Sequence, residues 1–233
     1  CDVAVLNKDS QYYEDFLNKC VDAKKVISFS SKGLDADYRA CDINAKNGVL
    51  EFNIVYHDAS RYTDEPVRKS NFTILSSGEF NIDNALLATS IGSELNVPYE
   101  DMKEALYNVK VPGRMEVVKS RGGRIAIVDF AHNKLSFIKL FEAVKKEYPD
   151  KKIAIVLGTP GGKAYDRRAL MGMIAAKNAD KVYITEDDPY REKAEDICEE
   201  IRAEAVKYSD DIVVVLNRQD AIKRAAEETD AEW

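Results

Sequence analysis

The sequence predicts an α/β protein, and two contrasting rhythms along it carry that prediction. After Gly113, short runs rich in Val and Ile alternate with amphipathic segments of helical length, the βαβ pattern of a parallel sheet. Before Pro112, apolar and polar residues alternate one by one through several β-branched runs, as in a mixed or antiparallel sheet edge. The break near Pro112–Gly113 gives two expected domains, 1–112 and 113–233, and 233 residues suit two domains by the usual allowance of roughly 100–200 each.

In chain order, DVAVLN and KVISFS are expected strands around a helical YYEDFLNKC. DYRACDI, GVLEFNIVY and SNFTILS follow as further strands. NIDNALLATSIGSEL reads as an amphipathic helix whose apolar positions are Ile82, Leu86, Leu87 and Ile91. A second helix, YEDMKEALYNV, starts after Pro98 and is stopped by VPGR. Beyond it, MEVVKS, GRIAIVDF, KKIAIVLG, DKVYITE and DIVVVL are expected strands. LSFIKLFEAVKKEY, DRRALMGMIAAKNA, EKAEDICEEIRAEAV and RQDAIKRAAEET are the helices between and after them.

Composition narrows the function. Hydrophobic residues at 45% and charged residues at 32% describe an ordinary globular chain, and a formal charge of −7 argues against a nucleic-acid partner. No apolar run approaches the ~20 residues that span a bilayer, so no membrane partner is expected. Cys1, Cys20, Cys41 and Cys198 are far apart and lack CxxC spacing, so they read as free thiols of a reducing compartment. Two distant histidines do not suggest a metal centre. A start at Cys1 rather than Met marks the sequence as an expected segment of a longer protein.

In parallel α/β sheets ligands bind at the carboxyl ends of strands. Three loops expected on that edge carry unusual residues: DFAHNK, GTPGGKAYDRR and EDDPYRE. In the first, Asn133 is either a helix cap or a ligand contact, and Asp129 is either a strand end or a two-oxygen acceptor for ribose hydroxyls. The second lacks P-loop spacing, since three residues separate Gly158 from Gly162, and Ala164 stands where a magnesium-binding hydroxyl belongs. It is a plain glycine turn or a backbone cradle for an anion, with Lys163, Arg167 and Arg168 close by. The third groups Glu186, Asp187 and Asp188, either as a solvated turn capping the helix at Glu192 or as a receptor for a cationic amine, since crowded carboxylates repel unless a cation joins them.

GEFNIDNALLA, VPGRMEVV, IVDFAHN, GTPGGKAYDRRALMG and ITEDDP, in this order, resemble the Mur ligase family. Within it they are most similar to the branch that adds the third residue of the peptidoglycan stem peptide. AVLNKDS is similar to a strand and loop nearer that family's centre. The resemblance implies that 1–112 is the C-terminal part of the central α/β ATP-binding domain and 113–233 the Rossmann-like C-terminal domain. It implies an ATP-dependent amide ligase of peptidoglycan synthesis, hence of cell-wall biogenesis, cell shape and cell division. The cofactors are ATP and Mg2+. The partners are UDP-MurNAc-L-Ala-D-Glu, activated as an acyl phosphate, and a free amino acid. A cytoplasmic monomer is expected. The family's P-loop and magnesium ligands lie upstream of the stretch matched here, so no catalytic residue is assigned and the segment alone is expected to be inactive.

Carried over by position, Asn81 and Asn84 stand near the adenine, Arg114 reaches the nucleotide, and Asp129 binds ribose with His132 and Asn133 beside it. Gly158, Gly161, Gly162, Lys163 and Arg168 face the substrate and phosphates, with Asp187, Asp188, Pro189 and Arg191 at the incoming amino acid. Diaminopimelate-adding members carry Asp-Asn-Pro-Arg where this sequence has Asp187-Asp188-Pro189-Tyr190. Tyrosine cannot clamp a carboxylate as arginine does, whereas Asp188 suits an ammonium, so L-lysine is the expected amino acid. The alternatives are a meso-diaminopimelate-adding ligase, a cyanophycin or folylpolyglutamate type of amide ligase, and a non-catalytic α/β binding module.

Overall fold

The computed structural model describes all residues except 47, 57–67, 77, 121 and 231. They form two compact units, Cys1–Pro112 and Gly113–Trp233.

The first unit contains β1 (Val3–Asn7), α1 (Tyr13–Leu17), β2 (Lys25–Ser30), β3 (Tyr38–Lys46), β4 (Val49–Tyr56), β5 (Arg68–Ile74), α2 (Phe80–Glu94) and α3 (Tyr99–Asn108). The sheet is mixed, in the order β1-β2-β3-β4-β5. β1, β2 and β3 run parallel, while β3–β4 and β4–β5 are antiparallel. β4 shows why alternation was informative: Leu50, Phe52, Ile54 and Tyr56 are all buried on one face. Phe52 pairs with Phe72 across to β5, and their rings stack at 6.1 Å. Tyr99 at the start of α3 closes the layer by stacking on Tyr56 at 4.3 Å.

Helix α2 differs from its expected face. It buries Ile82, Ala85, Leu86, Thr89 and Ser90, whereas Leu87 and Ile91 are exposed. The buried stripe still follows helical spacing, but it takes in Ala85, Thr89 and Ser90 beside Ile82 and Leu86. α1 is also shorter than the helix expected over YYEDFLNKC.

The second unit contains β6 (Glu116–Lys119), β7 (Ile125–Val128), α4 (Lys134–Glu147), β8 (Ala154–Leu157), α5 (Asp166–Asn178), β9 (Lys181–Ile184), α6 (Ala194–Ala205), β10 (Ile212–Val214) and α7 (Arg218–Glu227). Its parallel sheet has the order β10-β9-β8. Val182, Ile184 and Leu157 from this sheet pack with Phe137 and Phe141 of α4, Met171, Ile174 and Ala175 of α5, and Ile197 and Ile201 of α6.

One expectation is corrected here. β7 does not join the parallel sheet. It pairs antiparallel with β6, Val117 opposite Ile127, as a separate two-stranded ladder. The link over 120–124 is far shorter than the dozen or more residues a parallel crossover needs, so β6 and β7 can pair only as a hairpin. Of the three unusual loops, those after β8 and β9 share a sheet edge, and the loop after β7 extends from the hairpin.

Candidate nucleotide and substrate loops

The loop after β7 is built around Asp129. Its Oδ2 accepts the Met115 N–H at 2.9 Å and its Oδ1 the Ala131 N–H at 2.8 Å, so the carboxylate ties the start of β6 to the exit of β7. Met115 is buried and has φ +47°, a conformation rare for a side chain of this size, and the Asp129 bond anchors it. Arg114, next to it, lays its guanidinium 4.6 Å from the centre of the exposed Phe130 ring. His132 reaches the Phe130 carbonyl oxygen through Nδ1 at 2.9 Å, and its ring stands 4.9 Å from that of Phe130. The structure thus gathers Arg114, Asp129 and His132 around Phe130, whose part the sequence alone did not suggest.

Asn133 caps α4. Its side chain accepts from Ser136 N, and the Ser136 hydroxyl accepts from Asn133 N, a reciprocal capping box. The cap uses the amide oxygen of Asn133, and the same amide carries two N–H donors besides.

Asn81 and Asn84 lie in the first turns of α2 in the other unit. Asn84 donates to Asn81 Oδ1 at 3.2 Å, and Asn81 donates to Ser76 Oγ at 3.0 Å.

The loops after β8 and β9 are sewn together. Gly161 N donates to Asp188 O at 2.8 Å, and Gly162 N donates to Glu192 Oε1 at 2.5 Å. A Cβ at Gly161 would collide with the Pro189 carbonyl oxygen, so the second loop is glycine where the third loop's backbone presses on it. Gly162 has φ +72° and faces the Tyr190 ring, where a Cβ would lie 2.8 Å from Cδ1. Tyr190 itself has φ +54°, and its N–H is held by Asp188 Oδ1 at 3.1 Å. Lys163, Asp187, Asp188 and Arg191 are exposed, Pro189 is half-buried, and the Arg191 guanidinium sits 5.3 Å from the Tyr190 ring centre.

Arg168 requires a correction. It was expected to face substrate, yet it is 1% exposed. Its Nη1 donates to both oxygens of Glu200 at 3.1 and 3.0 Å, and its Nη2 reaches Glu192 at 2.8–2.9 Å. The Gly162 N–H, followed by Arg168, holds the Glu192 carboxyl below its ordinary range. The third loop does not cap α6, which begins at Ala194 after Lys193 with no side-chain cap. Glu192 turns instead toward Arg168 and Gly162. All four cysteines are free, and burial, with Glu186 and Glu195 adding to it, raises the Cys198 thiol to about 11.

Among the described residues, no group of three or more His, Cys, Asp or Glu is placed to hold a metal ion. Nor is any described helix long and apolar enough to cross a membrane.

A parallel sheet flanked by helices, with a glycine-rich turn held against an acidic loop at the ends of β8 and β9, places this unit in the α/β class. Comparison with known families narrows it: the Mur ligase, glutamate ligase domain model matches residues 113–232, and the chain belongs to the Mur ligase family. The chain is 33% identical over 207 residues to the UDP-N-acetylmuramyl-tripeptide synthetase of Lactobacillus delbrueckii subsp. bulgaricus, covering 89% of this chain and 38% of that protein. It is 29% identical to the UDP-N-acetylmuramoyl-L-alanyl-D-glutamate–L-lysine ligase of Enterococcus faecalis, covering 96% and 43% respectively. It therefore spans about two fifths of the curated relatives it matches. Among solved structures, Mycobacterium tuberculosis folylpolyglutamate synthase complexed with ADP superposes with a TM-score of 0.75 at 19% identity, over 97% of this chain and 47% of that one. That likeness concerns the fold.

Proposed function

We propose that the polypeptide carrying this sequence is an ATP-dependent amide ligase that adds L-lysine to UDP-MurNAc-L-Ala-D-Glu in peptidoglycan precursor synthesis, as a cytoplasmic monomer. The carboxylate of the acceptor takes the γ-phosphoryl group of ATP, and the α-amine of the incoming amino acid then displaces phosphate from the acyl phosphate. Residues 1–112 are the end of the central ATP-binding domain, and 113–233 are the C-terminal domain. Membership of the Mur ligase family supports the reaction class, and relatives named for an L-lysine ligase favour the amine.

The residues present suit a nucleotide. Each Asp129 oxygen accepts one backbone N–H and retains a second lone pair for a ribose hydroxyl. Asn81 and Asn84 offer amides that donate to and accept from a purine edge, Arg114 a cation for a phosphate, and His132 and Asn133 further polar contacts. ATP, when bound with Mg2+, supplies the phosphoryl group. What this chain adds is orientation and, in loops 158–168 and 186–192, recognition of the amino acid.

The observation that carries the choice of amine is the loop Asp187-Asp188-Pro189-Tyr190. It exposes two carboxylates and carries no arginine at its fourth position, where a distal carboxylate would need a bidentate partner. The full-length natural protein, supplied with ATP, Mg2+ and UDP-MurNAc-L-Ala-D-Glu, is expected to release phosphate when L-lysine is added. It should release little with meso-diaminopimelate or with no amino acid. Release that ignores the UDP-linked acceptor, or none at all, would favour the rival amide ligases or a binding module.

A further inference from the structure

The buried guanidinium of Arg168 is poorly explained as a stabilising pair. A buried ion pair recovers little more than the cost of desolvating it, and an apolar pair of the same volume serves stability as well or better. This one is also incomplete, since Arg168 Nε is buried and has no hydrogen-bond partner among the described residues. An ion pair can do what an apolar pair cannot, which is to hold one carboxylate in a single orientation. Glu192 is the carboxylate so held. Arg168 Nη2 fixes it from within, while Glu192 Oε1 accepts the Gly162 N–H from the neighbouring loop. Glu200 on α6 accepts from the other terminal nitrogen, Nη1, while the Tyr165 ring centre lies 4.7 Å from the guanidinium carbon. On the far side of the same junction, the Gly161 N–H to Asp188 O bond and the Asp188 bond to Tyr190 N–H fix the backbone that carries the acidic pair. The chain of contacts runs without a gap from Arg168 through Glu192 and Gly162 to Gly161, Asp188 and Asp187.

We propose that Arg168 and Glu192 are positioning residues: together they lock the glycine loop 158–163 to the acidic loop 186–191 and so set where the Asp187 and Asp188 carboxylates stand for a cationic amine. The identity of the ligand rests on the ligase reading above, whereas the lock between the loops does not. Arg168 touches no substrate in this account, and its effect on the amine passes through Glu192.

Two measurements on the full-length protein separate these parts. The first is amide hydrogen exchange without ligands. Glu192→Gln keeps the size of the side chain and an acceptor for Gly162 N–H but loses the charge that Arg168 grips. Exchange at residues 159–163 and 186–191 is expected to rise about tenfold, with β8, β9 and α6 unchanged. Glu200→Gln, which leaves Glu192 in place, should change those loops far less. Equal exchange in Glu192→Gln and wild type would overturn the lock. The second is steady-state kinetics with L-lysine. Glu192→Gln should raise the KM for the amine about tenfold with kcat within threefold and the KM for ATP unchanged, and Glu192→Asp should recover part of the loss. A fall in melting temperature with an unchanged amine KM would make the pair structural only and overturn the proposal. A wild-type protein with no amine-dependent turnover would instead remove the ligase reading, and the exchange data would still decide the lock.

Discussion

Asp129 and Arg168 show how a single side chain can be legible in position while the partners it takes are not. Asp129 stood out as a carboxylate at a strand exit, and the structure finds it there, but both oxygens already hold backbone N–H groups. Asp129→Ala leaves the Met115 and Ala131 N–H groups without that acceptor and should destabilise the second unit by about 1–3 kcal/mol, read from urea unfolding. The family resemblance puts Arg168 at the substrate, at the end of the glycine-rich segment 158–168. Its place on α5 carried a different message: Arg168, Met171, Gly172 and Ala175 follow i, i+3, i+4, i+7, so the arginine sits in the buried stripe and must have acid partners. What the sequence could not name were those partners, because Glu192 and Glu200 come from a loop and a helix brought near only by the fold. The Asn133 cap was legible from its spacing ahead of an apolar run, and Asn133→Ala should cost about 1 kcal/mol in the same assay.

At the scale of elements, most strands and helices were foreseeable from periodicity, and the failures have physical causes. Strand propensity identifies β7, but pairing depends on which neighbour is within reach, and the five-residue link to β6 makes a hairpin. On α2 the apolar residues Leu87 and Ile91 misled, since the buried face takes Ala85, Thr89 and Ser90 with Ile82 and Leu86 instead. Close approach is seen between α5 and α6, where a Cβ on Gly172 would strike the Ile201 carbonyl oxygen. Gly172→Ala should therefore lower stability by about 1–3 kcal/mol despite its better helix propensity, measured as a shift in the denaturation midpoint. A stabilising effect would mean that the helices can separate without cost.

At the scale of the whole molecule, the α/β class was visible in the alternation of strand and helix, and the family in a set of short motifs spread along the chain. Acid sensitivity is expected from a junction that no motif marked. Glu228, just after α7, is held down to about 2 by hydrogen bonds from Lys181, Arg224 and Tyr183. Its folded value lies below the ordinary ~4.3 of a free glutamate, so its contribution is complete above that value and is lost as pH falls from about 4 toward 2. Glu228→Gln should thus be less stable than wild type at pH 6, with the difference closing by pH 2 in urea unfolding. The central claim, that the acidic loop selects a cationic amino acid, is tested most directly by kcat/KM of the full-length protein for L-lysine and meso-diaminopimelate, in wild type and Asp188→Asn. The account predicts at least a tenfold preference for L-lysine in wild type that shrinks markedly in Asp188→Asn. A wild-type preference for meso-diaminopimelate, or an L-lysine preference untouched by the substitution, would contradict it.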